Sequence, residues 1–378
     1  MATLANIMNR RSYLKVKTRD PAFLWRMVLW IIAAGIVLGY VAQYFWQPQP
    51  QWELRPATPN SGWQQLEELA EQGLWWEAWM GIPAEVYAGF AHRGPLALAV
   101  FAGCCWLAFL LQALQIKHLR DWRLWATMVA ILLGVLSVWP TLFFILKQEV
   151  GWGLVETNEL IGGLRYNVLG VGLREEFAKL CCLLPLMPLL LRQRNELAVL
   201  LVSAAIGLGF AIEENVSYFR RSQGAATMGR FLTANPFHMA LTGLVGLAVY
   251  RALRYPQQCG PQAGAIFGLM VFAHGFYDAA LSIPALADYS LAGTIVFALV
   301  VYQFFHELRT LRTTGGDTVS LSANFLCGVS LLTSVTFVYL SATLGCAAAF
   351  DSLATGVLGL AVMVYLFLRE MPDTMVTV

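Results

Sequence analysis

The sequence predicts an all-α fold: a polytopic integral membrane bundle of about ten transmembrane helices, with N- and C-termini cytoplasmic. Three observations carry this. Hydrophobic residues make up 58% of the 378 positions and charged residues only 13%, against about 25% charged in a soluble domain. Apolar runs of about 20 residues, the length that crosses a bilayer as helix, recur along the chain. Lys and Arg also separate by side. Alternating the runs from a cytoplasmic N-terminus puts sixteen in inner segments and seven in outer ones, with Arg174 and Lys179 inside a run. That bias orients membrane proteins.

The first run, 22–46, follows the basic segment MNRRSYLKVKTRD. It is too long for the apolar core of a signal peptide and ends in YFWQPQPQW with no small-residue cleavage site, so 1–46 reads as a basic N-terminus and a permanent anchor. Residues 47–94 read as a Trp-rich extracytoplasmic insert. Its stretch SGWQQLEELAEQGLWWEAWM reads as an amphipathic helix capped by Ser61, with Glu67, Glu68 and Glu71 polar and Leu66, Leu69, Leu74 and the tryptophans apolar. Trp favours the membrane interface, so the helix is expected to lie on the outer leaflet; a lid over a site is the alternative. Runs 95–116 and 124–146, with an outer loop, make the unit 95–167. Runs 169–191, 197–217, 238–255 and 263–283 make the unit 168–285, and runs 290–306, 323–346 and 352–368 the unit 286–378. The loop FRRSQGAATMGRF, 219–231, is too basic for an outer segment and reads as docking on lipid headgroups. Cys104, Cys105, Cys181 and Cys182 read as ordinary helix packing. No repeat, CxxC pair or phosphate-binding glycine loop occurs, and no nucleic-acid partner is expected.

Four runs carry charge where lipid-embedded helices avoid it. LREEFAKLCCLLPLMPLLL (173–191) opens with Arg174, Glu175, Glu176 and Lys179. GFAIEENVSYF (209–219) holds Glu213, Glu214 and Asn215, NPFHMALTG (235–243) holds His238, and VFAHGFYDAAL (271–281) holds His274 and Asp278. A charged group at a helix centre costs roughly 2.5–3.5 kcal/mol on insertion scales. By the alternation all four clusters fall in the outer part of the membrane, so four helices converge on one depth. Taken singly, each group reads as a packing hydrogen bond or a residue snorkelling to the interface. EExxK and HxxxD are weak patterns alone; their convergence is what points to a site.

Spacing indicates what each cluster can do. Glu175 and Lys179 are i, i+4 and share a helix face. Glu175 and Glu176 are neighbours, and two close carboxylates repel until one holds a proton, which suits a general base beside a general acid. His274 and Asp278 are i, i+4, so the carboxylate can orient the imidazole. His238 follows Asn235 and Pro236 at a helix start, where the dipole favours a neutral ring able to accept a proton or ligate a metal.

At these residues the chain resembles the PrsW family of intramembrane proteases, within the CAAX protease-like superfamily. The matching pieces are REEFAK (174–179), GFAIEEN (209–215), the His of FHMALTGLVG (237–246) and HGFYD (274–278), over roughly 168–285. The resemblance implies hydrolysis of a peptide bond of a membrane protein substrate near the extracytoplasmic face, in the cell (inner) membrane, as in the regulatory cleavage of an anti-sigma factor. Carried over, Glu175 and Glu176 match the paired glutamates, with Glu176 preferred as the water-activating base. Glu214 matches the FxxxE glutamate, and His238 and His274 the two histidines. Lys179, Asn215 and Asp278 are supporting residues, and Glu213 lies beside the motif with no role. Either Zn2+ on His238, His274 and Glu214, with an open position, or a metal-free glutamate mechanism fits these residues. A zincin is excluded by the lack of HExxH. Asp317, in the polar loop TTGGDTVSLS, rules out an aspartyl pair. The alternative class is a proton- or ion-coupled transporter using the same groups, but transporters favour repeats and midplane sites.

Overall fold

In hydrocarbon no water is present to satisfy a backbone amide, so an apolar chain must close its own hydrogen bonds as helix. Every regular element in the computed structural model is accordingly helical; it describes residues 13–14, 16–46, 61–312, 319–359 and 361–371. Residues 47–60 of the insert and Asp317 lie outside these. In order, the helices are α1 (Pro21–Trp46), α2 (Ser61–Glu71), α3 (Trp75–Phe90), α4 (Arg93–Ala113), α5 (Trp122–Leu136), α6 (Val138–Leu146), α7 (Leu160–Arg165), α8 (Leu173–Leu183), α9 (Met187–Gln193), α10 (Glu196–Arg221), α11 (Thr227–Leu232), α12 (Ala234–Arg254), α13 (Pro256–Ser282), α14 (Ser290–Leu311), α15 (Leu321–Leu344), α16 (Cys346–Gly359) and α17 (Ala361–Glu370).

Eight helical segments among the described residues are long and apolar enough to cross a membrane: 21–46, 93–113, 122–151, 196–221, 227–254, 256–282, 284–311 and 321–344. The protein is therefore a polytopic helical membrane protein. Two of the ten expected runs differ. The run at 169–191 is a broken path, with a π-helical turn at Tyr166–Gly172 before α8 and a 3-10 turn at Leu184–Leu186 after it. Pro185 and Pro188 explain the second break, since each removes a backbone donor from the ladder. The run at 352–368 is divided between α16 and α17.

The bundle is built around α10 and α12. Their spans are 78% and 89% buried, against 17% for α1. Side chains from Val199 to Phe210 are almost all enclosed by protein, so this pair can carry polar groups without exposing them to lipid. Asn195 caps α10, its side chain accepting from the Ala198 N–H at 3.0 Å, directly after Arg194 turns left-handed at φ 51° to end α9. Asp121 likewise caps α5, accepting from the Arg123 amide and guanidinium, and this guanidinium holds the carboxyl below the usual carboxylate range.

Small residues let the central helices touch, the usual device where lipid supplies no hydrophobic drive between helices. A Cβ on Gly209 of α10 would stand 3.0 Å from the Gly134 Cα of α5 and closer still to the Ile131 carbonyl. The substitution Gly209→Val is therefore expected to destabilise the fold by roughly 1–3 kcal/mol or more, because overpacking here meets backbone and not a yielding side chain. Thermal unfolding in detergent checks this.

The insert departs from the single surface helix expected. Gly73, at φ +77°, breaks the stretch into α2 and α3, which fold back on each other. Leu66, Ala70, Ala78, Ile82 and Leu146 form a small core of their own, joining the hairpin to α6. Trp79 stacks on Trp139 with centroids 4.9 Å apart, and the Trp139 indole donates to the Trp79 carbonyl at 3.0 Å. Lys147 sits 3.3 Å over the Trp75 ring. Trp63, Trp75 and Trp79 thus serve as a protein joint, while Trp76 is exposed.

Candidate active site

The π-helical turn sets up the first carboxylates. Gly172 closes that turn, and a Cβ there would lie 3.0 Å from the Gly275 amide of α13; a Cβ on Gly275 would in turn meet the Asn167 carbonyl. Only paired glycines allow the two backbones this close. The approach brings the start of α8, with Glu175, Glu176 and Lys179, against His274 of α13.

The buried groups form a connected network. Lys179, fully enclosed, reaches Glu176 Oε1 at 2.8 Å, His238 Nδ1 at 2.9 Å and Glu175 Oε2 at 3.4 Å, with its ammonium 4.0 Å over the Phe210 ring. The sequence pairs Lys179 with Glu175 by spacing, but Glu176 is its closer partner. An ammonium only donates, so His238 Nδ1 accepts, and its proton sits on Nε2, which faces Glu214 Oε2 at 3.1 Å. His274 Nδ1 donates to Glu176 Oε1 at 2.9 Å. Its Nε2 lies 3.5 Å from both Glu175 Oε2 and Asp278 Oδ2. Glu176 therefore orients the His274 ring more closely than Asp278 does.

One member of the network escapes sequence reasoning. The basic stretch 219–231 is mostly helix, and Arg230, on α11, folds inward onto Glu214 and Asn215, while Asn215 donates to Asn235 Oδ1 at 2.7 Å. The excess of positive charge in 219–231 was the available signal. In place of a headgroup, at least this arginine meets an acid on the preceding helix, α10. Tyr218 stacks on the same guanidinium at 3.6 Å.

A cavity of about 1100 Å3 opens onto these groups. Glu175, Glu214, His238, His274 and Asp278 line it, while Glu176 and Lys179, at 1% and 0% exposure, lie behind. Glu176 Oε1 already accepts from Lys179 and His274; Glu175 has only the longer contacts and faces the opening. The insert completes the enclosure: Trp63, Glu85 and Phe90 line the same cavity.

Ligand atoms of Glu175, His238 and His274 lie within 4.8 Å of one another. One carboxylate and two imidazoles make a donor set that fits a catalytic zinc. The expected third ligand, Glu214, is instead engaged by Arg230 and the far nitrogen of His238. An ion there would share its space with the Lys179 ammonium, 2.9 Å from His238 Nδ1 and 3.4 Å from Glu175.

Carboxylates and imidazoles gathered around an open cavity inside an apolar helical bundle are the kind of groups a membrane-embedded hydrolase uses. Residues 122–305, just under half of the chain, match the model of the PrsW family intramembrane metalloproteases. The protein is thus a multi-pass membrane peptidase. The match is wider than the motif-bearing stretch 168–285: it takes in α5 and α6 before it and most of α14 after it. No curated protein and no solved structure matches the chain.

Proposed function

We propose that this protein cuts a membrane protein substrate near the extracytoplasmic face of the cell (inner) membrane, using the cavity-facing groups Glu175, His238 and His274. The observation that supports this best is the network itself. Glutamates from α8 and α10 and histidines from α12 and α13, on four separate helices, fall within hydrogen-bond reach of one another. The bias of sixteen inner to seven outer Lys and Arg supports cytoplasmic termini, with the broken path through α8 and the α16–α17 pair completing ten crossings. The site then lies toward the outer face, where a regulatory cut in a single-pass protein such as an anti-sigma factor would fall.

The geometry favours Glu175 over Glu176 as the base, because Glu176 is held from two sides and Glu175 faces the cavity. In this reading Glu175 takes a proton from water, whose oxygen attacks the scissile carbonyl. The oxyanion forms beside the imidazoles, and the C–N bond breaks as the proton passes from Glu175 to the leaving amine. Glu214, braced by Arg230, fixes the His238 tautomer, while Glu176, Lys179, Asn215 and Asp278 hold the rest in place. A divalent ion on Glu175, His238 and His274 would polarise the carbonyl and acidify bound water.

The test is a comparison of new N-termini in membranes from cells making wild type, Glu175→Gln or Glu176→Gln at matched expression. Cuts near the outer membrane face, seen only with the wild type, are the expected result. Identical profiles would sink the protease reading and leave proton- or ion-coupled transport to be assayed. Metal dependence is read separately. Stoichiometric zinc and chelator-sensitive cleavage are expected of a metal site; cleavage unmoved by chelation of metal-free protein overturns it.

A further inference from the structure

Two charged residues on the cavity wall have no part in this network. Glu213 lines the cavity one residue before Glu214, yet makes no hydrogen bond or ion pair among the described residues; its charged neighbours are the carboxylates Glu214 and Glu175. Arg220 lines the same cavity, makes no ion pair there, and has a buried Nε without a partner. Both are on α10, seven residues apart. Two helical turns return to the same face after about 10.5 Å, and Ser217, between them, lines the cavity as well. The row runs from the site toward the insert, where Phe90 at the end of α3 packs against the cluster that holds Val216 and Phe219.

An unpaired charge on such a wall is costly unless something arrives to meet it. The cavity exceeds the roughly 300–1,000 Å3 of small-molecule pockets, and Glu213, Ser217 and Arg220 all line it. An extended chain rises about 3.3–3.6 Å per residue, so the separation of the two charges corresponds to about three substrate residues.

We propose that Glu213 and Arg220 select the substrate: a Lys or Arg side chain close to the scissile bond docks on Glu213, and an Asp or Glu about three residues further toward the insert docks on Arg220. This rests on the protease reading above. The occupant is an extended juxtamembrane segment, running between α10 and the insert hairpin. Glu214 cannot take the first role, since Arg230 neutralises it, nor Arg230 the second, since Glu214 and Asn215 hold it.

The experiment uses the full chain in lipid nanodiscs and a peptide library, each member an apolar helix followed by ten randomised residues, with cut sites read by mass spectrometry. The wild type is expected to enrich a basic residue at one position and an acidic one about three residues outward, each roughly tenfold, the scale of one desolvated charge pair. Glu213→Gln should erase the first preference and keep the second. Arg220→Glu should turn the second from acidic to basic and keep the first, a reversal that mere loss of structure does not give. Arg220→Gln, expected only to erase the second preference, serves if the reversal unfolds the protein. Preferences unchanged in these variants, or lost together at both positions, overturn the proposal while leaving the protease reading intact. A protein carrying both Glu175→Gln and Glu176→Gln that cuts the same sites as wild type, or a wild type that cuts no member, overturns the protease reading and this proposal with it.

Discussion

Glu175→Gln is expected to lower cleavage by about 10²–10⁴-fold, the usual worth of a positioned general base, with little change in thermal stability. The amide keeps the shape of the carboxylate and gives up only the longer contacts, 3.4 Å to Lys179 and 3.5 Å to His274. Glu176→Gln should lose activity by another route. It removes the acceptor of both Lys179 and His274 Nδ1, so its unfolding temperature should fall along with its rate. Measuring rate and stability for both variants separates the two roles. An active Glu175→Gln protein would move the base to Glu176; a Glu176→Gln protein as stable as wild type would deny it the anchoring role.

The largest effect on stability is expected at Lys179. Its ammonium is fully enclosed and is the common partner of Glu175, Glu176 and His238. Lys179→Met fits the space but leaves carboxylates buried without compensation, and breaking a buried pair in this way costs about 3–5 kcal/mol. Glu176→Gln with Lys179→Met removes both partners and should regain much of that loss while remaining inactive. The pair forms a double-mutant cycle. Additive losses in thermal unfolding would show that the two residues do not act as the coupled pair described here.

Much of this arrangement is legible in the sequence. Apolar runs mark the long helices because length and composition alone decide whether a segment can span lipid. The four polar clusters mark the site because charges in such runs have no bland reason to share a depth. What stays hidden depends on direction. Glu175 and Glu176 differ by about 100° of helix rotation, and no pattern reveals that one faces a cavity and the other the protein behind it. Arg230 lies on α11, in a stretch rich in positive charge, and its partner, Glu214, is fixed only by how α11 folds back on α10. The insert's tryptophans suit a lipid interface and a protein joint equally by composition; Gly73 is the residue that turns one helix into a hairpin. The group of residues placed to hold a metal has Glu175 where the sequence suggested Glu214, for the same reason, since the chain order of acids does not say which oxygen points at which imidazole.

The wide turn at Tyr166–Gly172 has a consequence for how this site can change over generations. Such turns hold one residue more than regular helix needs and gather at functional sites. Deleting a residue there would remove the wide turn and the close approach of Gly172 to Gly275 at its end; a change of length that the helix cannot absorb turns everything beyond it by about 100°, carrying Glu175 off the cavity and the next position into its place. Point substitutions can tune this site gradually. A change of length just ahead of α8 cannot, and descendants of this chain should conserve the spacing from Asn167 to Glu175 more strictly than the identity of the apolar residues between them.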